Sequence, residues 1–71
     1  MQTLVAHNLP ASKLKVGDTI LGYAIRYIAE SVSREYFEFF FHNRRSIGGV
    51  GRRETVADIE DLMSIEDERG L

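Results

Sequence analysis

Tyr36-Phe37-Glu38-Phe39-Phe40-Phe41-His42 is the stretch on which the fold turns. It holds five aromatic rings and neither glycine nor proline, a composition that favours a pleated, half-buried strand. With a repeat of two, Phe37, Phe39 and Phe41 face a core, and Tyr36, Glu38, Phe40 and His42 face the other side. A helix across residues 24–42 is the competing reading, since Ile25, Ile28 and Val32 keep a 3.6-residue spacing. Aromatic crowding after residue 36 counts against it.

Upstream, Leu14-Lys15-Val16-Gly17-Asp18-Thr19-Ile20-Leu21-Gly22 carries a tight turn at Gly17-Asp18, and a strand begins near Thr19. Ile20 and Gly22 share one parity, whereas Ile25, Tyr27 and Ala29 share the other. A change of face inside one strand needs an extra residue, and Gly22 is assigned as that β-bulge. Thr3 to Ala6 forms a short first strand, Asn8-Leu9-Pro10-Ala11-Ser12 a loop, and Glu30-Ser31-Val32-Ser33-Arg34 a polar connection.

Downstream, Asn43 to Arg53 reads as a polar hairpin whose Gly48-Gly49-Val50-Gly51 tolerates positive φ. The last segment admits two readings. Thr55-Val56-Ala57-Asp58 resembles a helix cap, and Val56, Ile59, Leu62 and Met63 share a helical face. Thr55-Val56-Ala57 can equally pair as a strand beside the aromatic one. We expect a strand through residue 57 and then a short helical or irregular tail.

Short strands punctuated by glycine and proline predict a mainly β domain, a small antiparallel five-stranded barrel with a short C-terminal helix at most. Residues 1–57 would form the barrel, and 58–71 an acidic segment packed on it or extending from it. The Leu-x-x-Gly-Asp-x-Ile pattern, Leu14 to Ile20, followed by an Ile-rich and an aromatic strand, resembles the opening of small Src-homology-3-like or Sm-like barrels, including short bacteriophage-encoded proteins. The likeness spans about half the chain. It implies a five-stranded barrel of a kind used to bind nucleic acid and protein, and it brings no catalytic residues.

At 71 residues the chain is one domain, and its core must stabilise it without cross-links, because it has no cysteine. That absence excludes disulfides, thiolate nucleophiles and sulfur-ligated metals. One common remedy for a chain this short is self-association, so a homo-oligomer and a monomer are both open. No apolar run approaches the roughly 20 residues that cross a bilayer, and Met1 to His7 lacks a signal-peptide pattern. The expectation is a cytoplasmic protein with no membrane partner.

The net charge of −2 hides an asymmetry. Residues 1–53 carry eight Lys and Arg against four Asp and Glu; residues 54–71 carry one Arg against seven acids. A basic body precedes an acidic tail. Arg44-Arg45 and Arg52-Arg53 would meet at the base of the glycine hairpin, where guanidinium forks and open N–H groups suit phosphate. Outward Tyr36 and Phe40, beside His42 and Arg44, would add a surface on which bases stack. The bland readings are that the arginines answer the acidic tail, which would also compete with phosphate for them, and that Phe40 closes a subunit contact.

Other chemistries find no support. No Gly-Lys-Ser/Thr follows the glycine loop, so it is not a Walker A element. His7 and His42 lack ligand spacing and read as polar strand residues. Ser12, Ser31, Ser33, Ser46 and Ser64 fall in turns or tail, where no base and orienting acid can be assigned. The sequence therefore predicts a non-enzymatic binding module without cofactor or metal. Its anion-binding residues would be Arg44, Arg45, Arg52, Arg53, Tyr36, Phe40 and His42, and its partner nucleic acid or another protein. The alternative is a regulatory or structural protein that self-associates or inhibits a host protein.

Overall fold

A computed structural model describes residues 3–4 and 6–69. It is mainly β with one C-terminal helix: β1 (Thr3–Leu4), β2 (Asp18–Ile20), β3 (Tyr23–Glu30), β4 (Tyr36–Phe41), β5 (Ser46–Gly51) and α1 (Val56–Arg69). The strands form one sheet in the order β1-β2-β3-β4-β5. β1 runs parallel to β2 and every other neighbouring pair is antiparallel.

The aromatic stretch is the extended strand β4, which rules out a helix over 24–42. Phe39 and Phe41 are fully buried and Phe37 nearly so, whereas Tyr36 and Glu38 are exposed. β3 and β5 lie on either side of β4, and Ile25, Ile28, Ile47 and Val50 are paired with its inward rings. Burying each such ring contributes about 1.5–3 kcal/mol.

Glycine acts differently from expectation at two places. Leu21 and Gly22 are a two-residue hairpin turn with φ of 51° and 81°, joining Ile20 to its cross-strand partner Tyr23. Positive φ at both central positions is the type I′ turn, whose twist matches the flanking strands. The bulge sits four residues later: Ile25 pairs with Phe41 and Tyr27 with Phe40, leaving Arg26 as the extra residue. The change of face assigned to Gly22 thus divides between a turn and an arginine bulge, and Tyr27 turns to the outer face.

The second difference concerns the glycine hairpin. The turn is only His42-Asn43-Arg44, closed by Arg44 N–H donating to the Phe41 carbonyl at 3.2 Å and Phe41 N–H donating to the Arg45 carbonyl at 2.7 Å. Arg44 takes the left-handed conformation there, φ 69°. The glycines are strand: Gly48 and Gly49 together face Glu38, a bulge that Gly49 accommodates at φ 69°.

The sheet does not close into a five-stranded barrel. Among the described residues, the only bridge joining the N-terminal segment to the chain beyond β5 is Pro10–Thr55. The strand expected through residue 57 is absent because the chain becomes helical at Val56. The Thr55 side chain and N–H both bond Asp58, and the Val56 and Ala57 N–H groups donate to the carbonyls of Leu9 and His7, each at 2.9 Å. Those contacts occupy donors that a helix start leaves unsatisfied. The tail is accordingly no appendage: Val56, Ile59 and Met63 join the core that the sheet lines, together with Ala11 and Leu14. Leu62, expected on the same face, stays partly exposed. No helix among the described residues is long and apolar enough to cross a membrane.

Candidate functional site

The four arginines do not converge. β5 separates Arg44-Arg45 from Arg52-Arg53, and its six residues span about 20 Å. Arg45 turns under the sheet: its guanidinium lies 5.2 Å from the Tyr23 ring centroid and donates to the Met63 carbonyl of α1 at 2.7 Å. Arg52 pairs with Glu30, donates to the Arg34 carbonyl at 2.8 Å and covers the Phe37 ring at 5.1 Å. Both are fastened into the fold. The expected single hairpin site is corrected by the strand that parts the two pairs. Arg44 and Arg53 are exposed, and among the described residues their side chains make no hydrogen bond or ion pair.

The outer face of β3 and β4 groups a different set of residues. Phe40 and its cross-strand partner Tyr27 stand side by side, ring centroids 5.7 Å apart and 41° between planes. Phe40 is half-buried, and Tyr27 is 56 % exposed. At the same end of the strands lie Arg26 on its bulge, His42 just past β4, and Arg44 in the turn, all exposed. Ser46, paired with Phe40, adds no bulk and no charge. Two aromatic rings, two guanidinium-bearing residues and a histidine therefore share one end of the outer face, and Glu38 is the next outward residue along β4.

Tyr36 lies on the same face at the other end of β4, 51 % exposed. It borders a cleft of about 530 Å³ lined by Glu35, Gly51, Arg52, Arg53, Glu54 and Asp58. The structure thus places Phe40, His42 and Arg44 together, and Tyr36 and Arg53 together some distance along the strand. Arg45 belongs to neither group, and Arg52 lines the cleft while bound to Glu30 and to the Arg34 carbonyl.

Arg26 and Tyr27 are absent from the residues the sequence singles out, because parity counted from Gly22 sends Tyr27 inward. A charged residue between Ile25 and Tyr27 was the available signal. Arg26 is the one charged residue between Tyr23 and Ala29, and a charge between two apolar residues is compatible with a bulge.

Neither histidine lies in a strand. His7 occupies a turn, its Nδ1 2.7 Å from Glu60 Oε1 of α1, and His42 begins the β4–β5 turn. Among the described residues no group of three or more His, Asp or Glu side chains is placed to hold a metal ion. Comparison with protein-family models, with curated proteins and with solved structures finds no match.

Proposed function

We propose that this chain is a non-enzymatic binding module whose outer sheet face holds single-stranded nucleic acid. The carrying observation is the Tyr27–Phe40 ring pair flanked by Arg26, His42 and Arg44. Exposed rings stack bases of any sequence, each worth about 1–3 kcal/mol, and adjacent guanidinium groups meet the phosphates between them. A duplex hides its base faces, so the surface suits an unpaired strand. Nucleic-acid binding is thereby moved from the arginine hairpin to the sheet, and Arg44, Phe40 and His42 keep their part in it.

The test is fluorescence anisotropy of a labelled oligonucleotide across a salt series. Log affinity should fall linearly with log salt, with a slope of about −1.4 to −2.1 for two or three phosphate contacts. Arg44→Glu should weaken binding and flatten the slope by about 1. Binding that ignores salt, or no binding at low salt, sinks the proposal.

A second reading has one observation in its favour. Leu62 and Ile65 leave part of α1 apolar and exposed, a feature of protein contacts. Light scattering of the wild type and Ile65→Ser tests self-association; a monomer in both cases counts against it.

A further inference from the structure

We infer that the cleft beside Tyr36 is a base-reading subsite of the same bound strand, taking one nucleotide whose base carries an exocyclic amino group. This inference rests on the nucleic-acid reading above. Tyr36 and Phe40 share the outer face of β4 and stand about 13 Å apart along it. An extended single strand reaches from the Tyr27–Phe40 rings to Tyr36 within a few nucleotides.

Three features of the cleft fit one nucleotide. The Tyr36 ring is open for stacking. Arg53 is exposed, and among the described residues it has no hydrogen bond or ion pair, leaving its guanidinium for a phosphate. Arg52 also lines the cleft, but its guanidinium is held by Glu30 and the Arg34 carbonyl, and the rest of the polar wall is made of carboxylates. Glu54 accepts the Gly51 N–H, and Asp58 accepts the Thr55 N–H at 3.0 Å, so each is pinned by its own backbone. Glu35 is exposed, and among the described residues its carboxylate makes no bond.

Ionised carboxylates only accept hydrogen bonds. They therefore welcome the amino edge of cytosine and repel the O4 carbonyl of thymine or uracil. Between the two ends, Glu38 lies against Gly48, whose missing Cβ would meet the Glu38 Cγ at 3.4 Å. Its charge keeps phosphates off the middle of the sheet and leaves them to Arg26, Arg44 and Arg53 at the margins.

The experiment compares labelled oligodeoxycytidylate and oligothymidylate of equal length, at low salt, on wild type, Tyr27→Ala, Glu35→Gln, Tyr36→Ala and Tyr36→Phe. The cytidylate should bind about fivefold more tightly. Glu35→Gln should reduce that preference. Tyr36→Ala should weaken both by about fivefold or more, while Tyr36→Phe, which keeps the ring, should not. Equal affinities, with Tyr27→Ala still weakening both, overturn the subsite and leave the sheet-face reading intact. Cytidine monophosphate displacing the cytidylate as well as an oligomer does would assign the cleft to a free nucleotide and overturn it too. No binding of either oligomer overturns both readings.

Discussion

Leu21 holds a left-handed backbone, φ 51°, where a leucine side chain is strained. Its side chain is 45 % exposed, so little burial compensates. Asparagine tolerates this conformation and is favoured before glycine in type I′ turns. Leu21→Asn should stabilise the domain by about 0.5–1 kcal/mol, read as a higher urea midpoint at unchanged slope. Phe39 is the opposite case, a ring with no exposure at the centre of the core. Phe39→Ala should cost about 3–5 kcal/mol, enough to consume much of a small domain's stability, and thermal melting should show it. The alternation of β4 was legible because a run of rings leaves one arrangement that hides three and shows the rest. The outward turn of Tyr27 was not, because parity counts are blind to a bulge and the nearer glycine attracted the assignment.

Among the elements, α1 shows how a short ambiguous run is decided by the residues C-terminal to it. Thr55-Val56-Ala57 suits a strand as well as a helix. Asp58 bonds both the N–H and the hydroxyl of Thr55, and the helical spacing of Val56, Ile59 and Met63 puts all three in the core. Thr55→Ala should cost about 1 kcal/mol by loss of the cap, measured by urea unfolding followed through helical circular dichroism. Removal of residues 58–71 should abolish folding, because it takes Ile59 and Met63 from the core. A cooperative transition in that truncated chain would contradict this account. The dispersal of the arginines has a similar origin. Four glycine-rich residues read as a loop, yet with one pair of them bulged opposite Glu38 they continue the ladder and drive the two basic pairs apart.

For the molecule as a whole, the asymmetry between a basic body and an acidic tail was plain in the sequence, but its consequence was not. The helix carrying the acids packs on the core, and it meets Arg45 through a backbone carbonyl, that of Met63. Through Val56, Ile59 and Met63 the helix is thus a wall of the fold, and Arg26 and Arg44 of the outer face are exposed. The N-terminal segment, for its part, meets the helix through a few polar contacts. Ala11 N–H to the Glu54 carbonyl, Val56 N–H to the Leu9 carbonyl, Ala57 N–H to the His7 carbonyl and the His7–Glu60 contact fasten residues 7–11 to the start of α1. That makes a latch. Lifting it exposes Leu9, Ala11 and Val56, whereas parting β4 from its neighbours uncovers three buried rings, so the amides of Ala11 and Ala57 should take up deuterium before that of Phe39. A protein of this build yields first at its seam, and a partner that grips both sides of the latch would stiffen the entire domain without touching a single core residue.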